Sequence, residues 1–172
     1  MITNIPFESL IYTLFLRGFL RVQHAIQTFR IPPESTIRIN IPVSARFKAI
    51  PYYLRFIPHK DYVFEFKFFI DGKLLIHDDN VRLVNWQYGI DFLHQMKVIL
   101  FAEKEFNVEV KSRSGYEEEF SINFIYGEVR EDIKEKIFDT YFLMIDKQFE
   151  EEAKKIKVER LELRREGKGR VC

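Results

Sequence analysis

From Tyr62 the chain reads Tyr-Val-Phe-Glu-Phe-Lys-Phe-Phe-Ile, passes through Asp71-Gly72, and returns as Lys73-Leu74-Leu75-Ile76. Tyr62, Phe64, Phe66, Phe68 and Ile70 fall at every second position, with Glu65 and Lys67 between them. Side chains alternate faces along a strand, so this spacing builds one face from four aromatics and an isoleucine. Asp-Gly supplies the positive φ angles that a two-residue type I′ turn demands. The stretch predicts a central β-hairpin, and the rest of the chain has to cover its aromatic face.

Other segments share the two-residue period. Ile37, Ile39, Ile41, Val43, Ala45 and Phe47 alternate with Arg38, Asn40, Pro42, Ser44 and Arg46. Pro42 cannot donate to a ladder, which places that strand at an edge or at a bulge. Ile50–Ile57 is a less regular aromatic segment between prolines. After a polar turn at His77-Asp78-Asp79-Asn80, strands are expected over Val81–Tyr88, Met96–Ala102, Phe106–Lys111 and Phe120–Tyr126. With no helix between them, these seven or eight strands have to be largely antiparallel, since a parallel pair needs a long crossover.

Both ends read as helix. Phe7, Ile11, Phe15, Phe19, Val22, Ile26 and Phe29 recur at spacings of three and four, which predicts one helix over Pro6–Phe29. Ile133, Ile137, Tyr141, Ile145, Phe149, Ala153 and Ile156 do the same over Val129–Lys157. Glu128, Glu131 and Asp132 at its start and Lys154, Lys155 and Lys157 at its end suit the helix dipole. The expected organisation is a helix over residues 1–30, a sandwich over 36–127, a helix over 128–165 and a basic tail over 166–172, all in one domain. The expected fold is therefore mainly β: a seven- to eight-stranded antiparallel β-sandwich, jelly-roll-like, with a helix at each end. A helix-grip α+β arrangement is the alternative.

Composition narrows the function classes. The 172 residues include 27 Lys and Arg against 26 Asp and Glu, so no global field selects nucleic acid or an anionic membrane. The single cysteine, Cys172, excludes an internal disulfide and a cysteine zinc cluster. Abundant Lys and Glu follow the trend of thermophile proteins. The apolar run Leu10–Leu16 stops at Arg17, too short for a transmembrane span, although an interfacial membrane contact by the first helix fits its apolar surface. Without a basic region or cleavage motif at the start, the expected location is intracellular or in a virion rather than secreted by a signal peptide.

Few residues suggest chemistry. His77 and Asp79, with a later His94, have the ligand types of an oxygenase iron site, but His94 follows too soon for that arrangement. Glu117-Glu118-Glu119 is expected as a solvated acidic loop. Trp86 and Tyr88 offer an aromatic pair for a sugar or base, and Lys154–Arg170 is a basic stretch suited to weak nucleic-acid contact. There is no nucleophile elbow and no Gly-rich phosphate loop, and no motif calls for a cofactor. The 18 phenylalanines and the apolar excess of both helices point instead to assembly. The expected function is a non-enzymatic structural subunit, of virion coat (capsid), vertex or accessory type, that forms an oligomer through protein–protein contacts. Its partners are further copies or other subunits, met through Leu10, Leu14, Leu16 and Leu20 on one helix and Phe138, Phe142, Leu143 and Met144 on the other. The competing expectation is a domain with a Phe-lined cavity for a small apolar ligand or a carbohydrate.

Overall fold

The structure is a computed structural model, and it describes residues 14, 15, 17–92, 100–139 and 147. The chain divides into two compact units, Met1–Glu131 and Asp132–Cys172. The eight strands among the described residues belong to the first: β1 (Leu20–Ile31), β2 (Thr36–Pro42), β3 (Phe47–Pro58), β4 (Phe64–Ile70), β5 (Lys73–Asp78), β6 (Ile90–Asp91), β7 (Glu105–Ser112) and β8 (Glu118–Arg130). They form two four-stranded antiparallel sheets. Sheet 1 runs β1-β8-β3-β6 and sheet 2 runs β2-β7-β4-β5. The first strand thus pairs with the eighth, the second with the seventh, the third with the sixth and the fourth with the fifth. Every connection except the β4–β5 turn carries the chain from one sheet to the other.

That turn is the hairpin expected from Asp71-Gly72. Both residues have positive φ, 48° and 78°, and Ile70 pairs directly with Lys73 across them. Phe64, Phe66, Phe68 and Ile70 all point inward and are buried, while Tyr62 precedes the strand and is exposed. On β8 the inward positions are Phe120, Ile122, Phe124 and Tyr126, and on β7 they are Phe106, Val108 and Val110. Rings meet across the gap: Phe56 lies 4.9 Å from Phe66, Phe68 lies 5.4 Å from Phe124, and Phe106 lies 4.9 Å from Phe124. These contacts make the two sheets a β-sandwich. Each fully buried phenylalanine contributes about 1.5–3 kcal/mol through burial alone, so the aromatic surplus is used in the packing.

Four expectations are corrected. The first concerns the helix over Pro6–Phe29, because Leu20–Ile31 is strand β1. The helical turn at Leu14–Phe15 ends in a Schellman cap at Gly18 (φ 70°), where Gly18 N–H donates to the Phe15 carbonyl and Phe19 N–H to that of Leu14. Beyond it, Val22, Ile26 and Phe29 satisfy the helical period, yet Val22, Ile26, Thr28 and Ile31 are β-branched. All twelve residues pair with β8, an interaction the local pattern does not contain. The part of that expected helix before Leu14 lies outside the described residues.

The second correction is at Val81–Tyr88, which is a run of tight turns rather than a strand. Asn85 N–H bonds the Arg82 carbonyl, Trp86 that of Leu83, and Gly89 that of Trp86. The third is at the far end. β8 continues through Gly127 to Arg130, and Val129 pairs with both Leu20 and Lys48. Of the expected long helix, the described parts beyond β8 are α1 (Glu131–Ile133), a π-helical turn at Lys134–Asp139 and the helical Lys147; the rest lies outside the described residues, among which no long flanking helix is seen. Arg46, at φ 66°, also splits the strand expected over Ile37–Phe47 into the end of β2 and the start of β3. The expected strand at Met96–Ala102 falls mostly outside the described residues, and Ala102 forms a bridge with Ala49.

Candidate functional site

A sandwich exposes its sheet edges and its two outer faces, and these differ sharply between the sheets. Three of the four edge strands carry protection against pairing. β6 is two residues long, β2 includes Pro42, and the β4–β5 register shifts at Phe68/Phe69. β1 carries none: it runs for 12 residues without proline, in unbroken register with β8. Among the described residues β1 pairs with β8 alone, and from Arg21 to Arg30 none of its residues is buried.

Register assigns its faces. Phe29 opposes the inward Phe120, so Val22, His24, Ile26 and Thr28 lie on the outer face. Val22 is 46% and Ile26 63% exposed. Beside them the face is polar: His24 Nε2 lies 2.7 Å from Asn123 Oδ1, and Thr28 Oγ1 2.8 Å from Ser121 Oγ. The arginines at the two ends pair within the chain, Arg21 with Glu128 at 2.6 Å and Arg30 with Glu119 at 3.7 Å.

The outer face of sheet 2 is an ion-pair lattice. Glu109 joins Arg38 (2.8 Å) to Lys67 (3.4 Å), and Lys67 reaches Glu65 at 2.8 Å. Glu65 also holds His77 and Arg113, each at 3.2 Å. Lys67 chiefly, against the opposing effect of burial and with help from Arg113 and His77, pulls the Glu65 carboxyl down to about 2. A face this heavily charged is built to stay in water.

Three carboxylates fasten the frame. Glu128, buried on the inner side of β8, takes Ser44 N–H on Oε1 at 2.8 Å. Its Oε2 accepts from Arg21 at 2.6 Å, Ser44 Oγ at 3.1 Å and Gln23 Nε2 at 3.3 Å. Burial pushes its pKa up, but the Ser44 bonds and Arg21 outweigh that and leave it below the ordinary value. Asp71, at the hairpin tip, accepts the backbone N–H groups of Glu103, Lys104 and Glu105 at 2.7–3.0 Å. Glu118 is buried rather than solvated, held by Ser114 Oγ at 2.7 Å and Lys60 Nζ at 3.1 Å. It borders an open depression of about 300 Å³ with Arg30, His59, Lys60, Glu117 and Glu119, a lining of mixed charge unsuited to an apolar ligand.

A second buried patch sits on the outer side of sheet 1. Leu20, Ile50 and Val129 are buried there, away from the main core. The β-bulge at Pro51/Tyr53 turns the Tyr52 ring over Gly127, where a Cβ would collide with the hydroxyl and lie 2.7 Å from Cζ. Among the described residues the Tyr52 hydroxyl and Arg55 Nε are buried without a hydrogen-bond partner, and burial pushes the Tyr52 phenol up.

The residues expected at an interface are placed unevenly. Leu14 and Leu20 are buried within the chain at 2% and 4% exposure, so they present no free surface. Phe138 lies in the π-helical turn. Leu10, Leu16, Phe142, Leu143 and Met144 fall outside the described residues, as does the basic stretch 154–170. His77 is engaged with Glu65, Asp79 sits in the bend after β5, and His94 is outside the described residues. Among the described residues no group of His, Cys, Asp and Glu could hold a metal ion, and no helix is long and apolar enough to cross a membrane. Trp86 is buried against Phe66, with Nε1 donating to Asp78, whereas Tyr88 is exposed, so the two form no platform. The β1 edge was hidden by its helical reading; the Gly18 stop followed by four β-branched residues was the signal for it.

The chain matches no known family model and no curated protein.

Proposed function

We propose that this chain is a non-enzymatic structural subunit with a jelly-roll sandwich, working as a building block of a larger assembly. The strand pairing of first with eighth through fourth with fifth supports the jelly-roll reading, an architecture used by viral capsid and lectin domains among others. Architecture alone does not select a function. The observation that carries the proposal is the β1 edge, long, regular and unprotected in a molecule whose other edges are short, proline-bearing or bulged. A chain that acts alone has every reason to blunt such an edge. The aromatic interior supports the same reading over a ligand cavity, because Phe56, Phe66, Trp86, Phe68 and Phe124 fill the space between the sheets. A virion coat, vertex or accessory role fits a subunit of this kind. Light scattering of the full chain over a wide concentration range tests it. An oligomer is expected, and a monodisperse monomer at every concentration would sink the proposal.

A further inference from the structure

The geometry points to a specific contact: β1 pairs antiparallel with β1 of a second copy about a two-fold axis, joining two copies of sheet 1 into one eight-stranded sheet. This contact rests on the assembly reading above and names its partner. Among the described residues β1 is the one edge whose length and regularity allow a full ladder, and β6, β2 and β5 offer no equal surface for a head-to-tail match. An edge that pairs with itself closes after two copies, whereas pairing with a different edge would propagate into a fibre.

Charge favours a second copy over a foreign strand. The arginines of β1 stand at its two ends with opposite parity, Arg21 on the inner face and Arg30 on the outer, so antiparallel copies do not bring them together. Each is already opposed by a carboxylate of β8, and the stretch between them has no acidic or basic side chain other than His24. A charged strand from another protein would find nothing unpaired there to recognise. Two copies of β1 instead bring together Val22, Ile26 and the hydrogen-bonding side chains of His24 and Thr28 on the outer face, and Gln23, Ala25 and Gln27 on the inner. Cross-strand pairs of this type are the unit of sheet stabilisation.

Two measurements on the full chain test the contact. Val22→Lys combined with Ile26→Lys places charges on side chains that are already exposed, so the fold should survive, as Trp86 fluorescence can verify. Native mass spectrometry is expected to show the wild-type oligomer and at least a tenfold weaker two-fold contact in the lysine variant, equivalent to about 1.4 kcal/mol. In a Cys172→Ser background, single cysteines at each position from Val22 to Thr28 are expected to form disulfide-linked dimers most readily at one position, the one on the axis. The yield should fall away on both sides and stay low for Glu117→Cys. An oligomer unaffected by the lysines, or crosslinking no greater than at Glu117→Cys, overturns the β1 contact while leaving assembly through another surface standing. A wild-type monomer overturns both.

Discussion

Replacing Glu128 with glutamine tests how the sandwich holds its first strand. The Glu128 side chain is 1% exposed and accepts from Ser44, Arg21 and Gln23, linking β8, β1 and the β2–β3 connection. Glutamine keeps the shape but has one acceptor oxygen. If that oxygen stays on Ser44 N–H, the amide nitrogen faces Arg21, donor against donor. Hydrogen bonds to charged groups contribute about 1.5–3 kcal/mol each, so neutralising the Ser44 pair costs about 1–2 kcal/mol. Arg21 is half exposed and can turn to water, which limits its share to about 0.5–1 kcal/mol. The sum is about 1.5–3 kcal/mol, or a fall in Tm of about 3–12 °C for a chain of this size.

The loss should depend on pH. The folded pKa of Glu128 lies below its unfolded value of about 4.3. Its contribution is therefore complete above that pH and disappears as pH falls through the folded pKa. Urea unfolding followed by Trp86 fluorescence reports on the sandwich, since this single tryptophan is packed against Phe56 and Phe66. The wild-type advantage over Glu128→Gln should be constant from pH 8 to about 5 and shrink below about 4. A difference under about 0.5 kcal/mol at neutral pH, within the scatter of surface substitutions, would refute the reasoning. So would a gap that persists unchanged in acid.

Asp71→Ala removes the acceptor for three backbone N–H groups, but water can reach that turn. A cost of about 1–2 kcal/mol is expected, with Asn recovering part of it, and no change in the melting curve would contradict the clasp. Phe68→Ala empties a site packed against Phe92, Phe106 and Phe124 and should cost about 3–5 kcal/mol by denaturant titration. Gly127→Ala drives a methyl into Tyr52 and should cost about 1–3 kcal/mol, much less in a Tyr52→Ala background; additive effects of the two changes would argue against the contact. Carbon-detected NMR titration should place the Glu65 midpoint near 2, and a midpoint close to 4 would remove Lys67, Arg113 and His77 as its partners. Stability from that lattice is present above the unfolded carboxyl pKa and lost as pH falls toward 2.

Much of the candidate site was not legible from single residues. Glu118 looked solvated because it lies in an acidic run beside a turn, and only the approach of Lys60 and Ser114 makes its burial affordable. Leu14 and Leu20 looked like interface residues because apolar excess on one segment says nothing of what the same chain lays against it. Trp86 and Tyr88, two residues apart, were separated by a run of turns that buries one ring and leaves the other in water.

The sequence by itself determined the hairpin at the centre of the fold. The alternation through Phe64, Phe66, Phe68 and Ile70, with the positive-φ pair Asp71-Gly72, is local chemistry that leaves one structural answer. The tertiary structure decided the rest, beginning with Leu20–Ile31, whose residues fit a helix and a strand alike. β8 offers β1 twelve paired positions from a hundred residues away, and no local period records such an offer. Among the described residues that long-range pairing also leaves β1 with β8 as its one partner, so the surface to which we assign assembly exists only once the chain has folded.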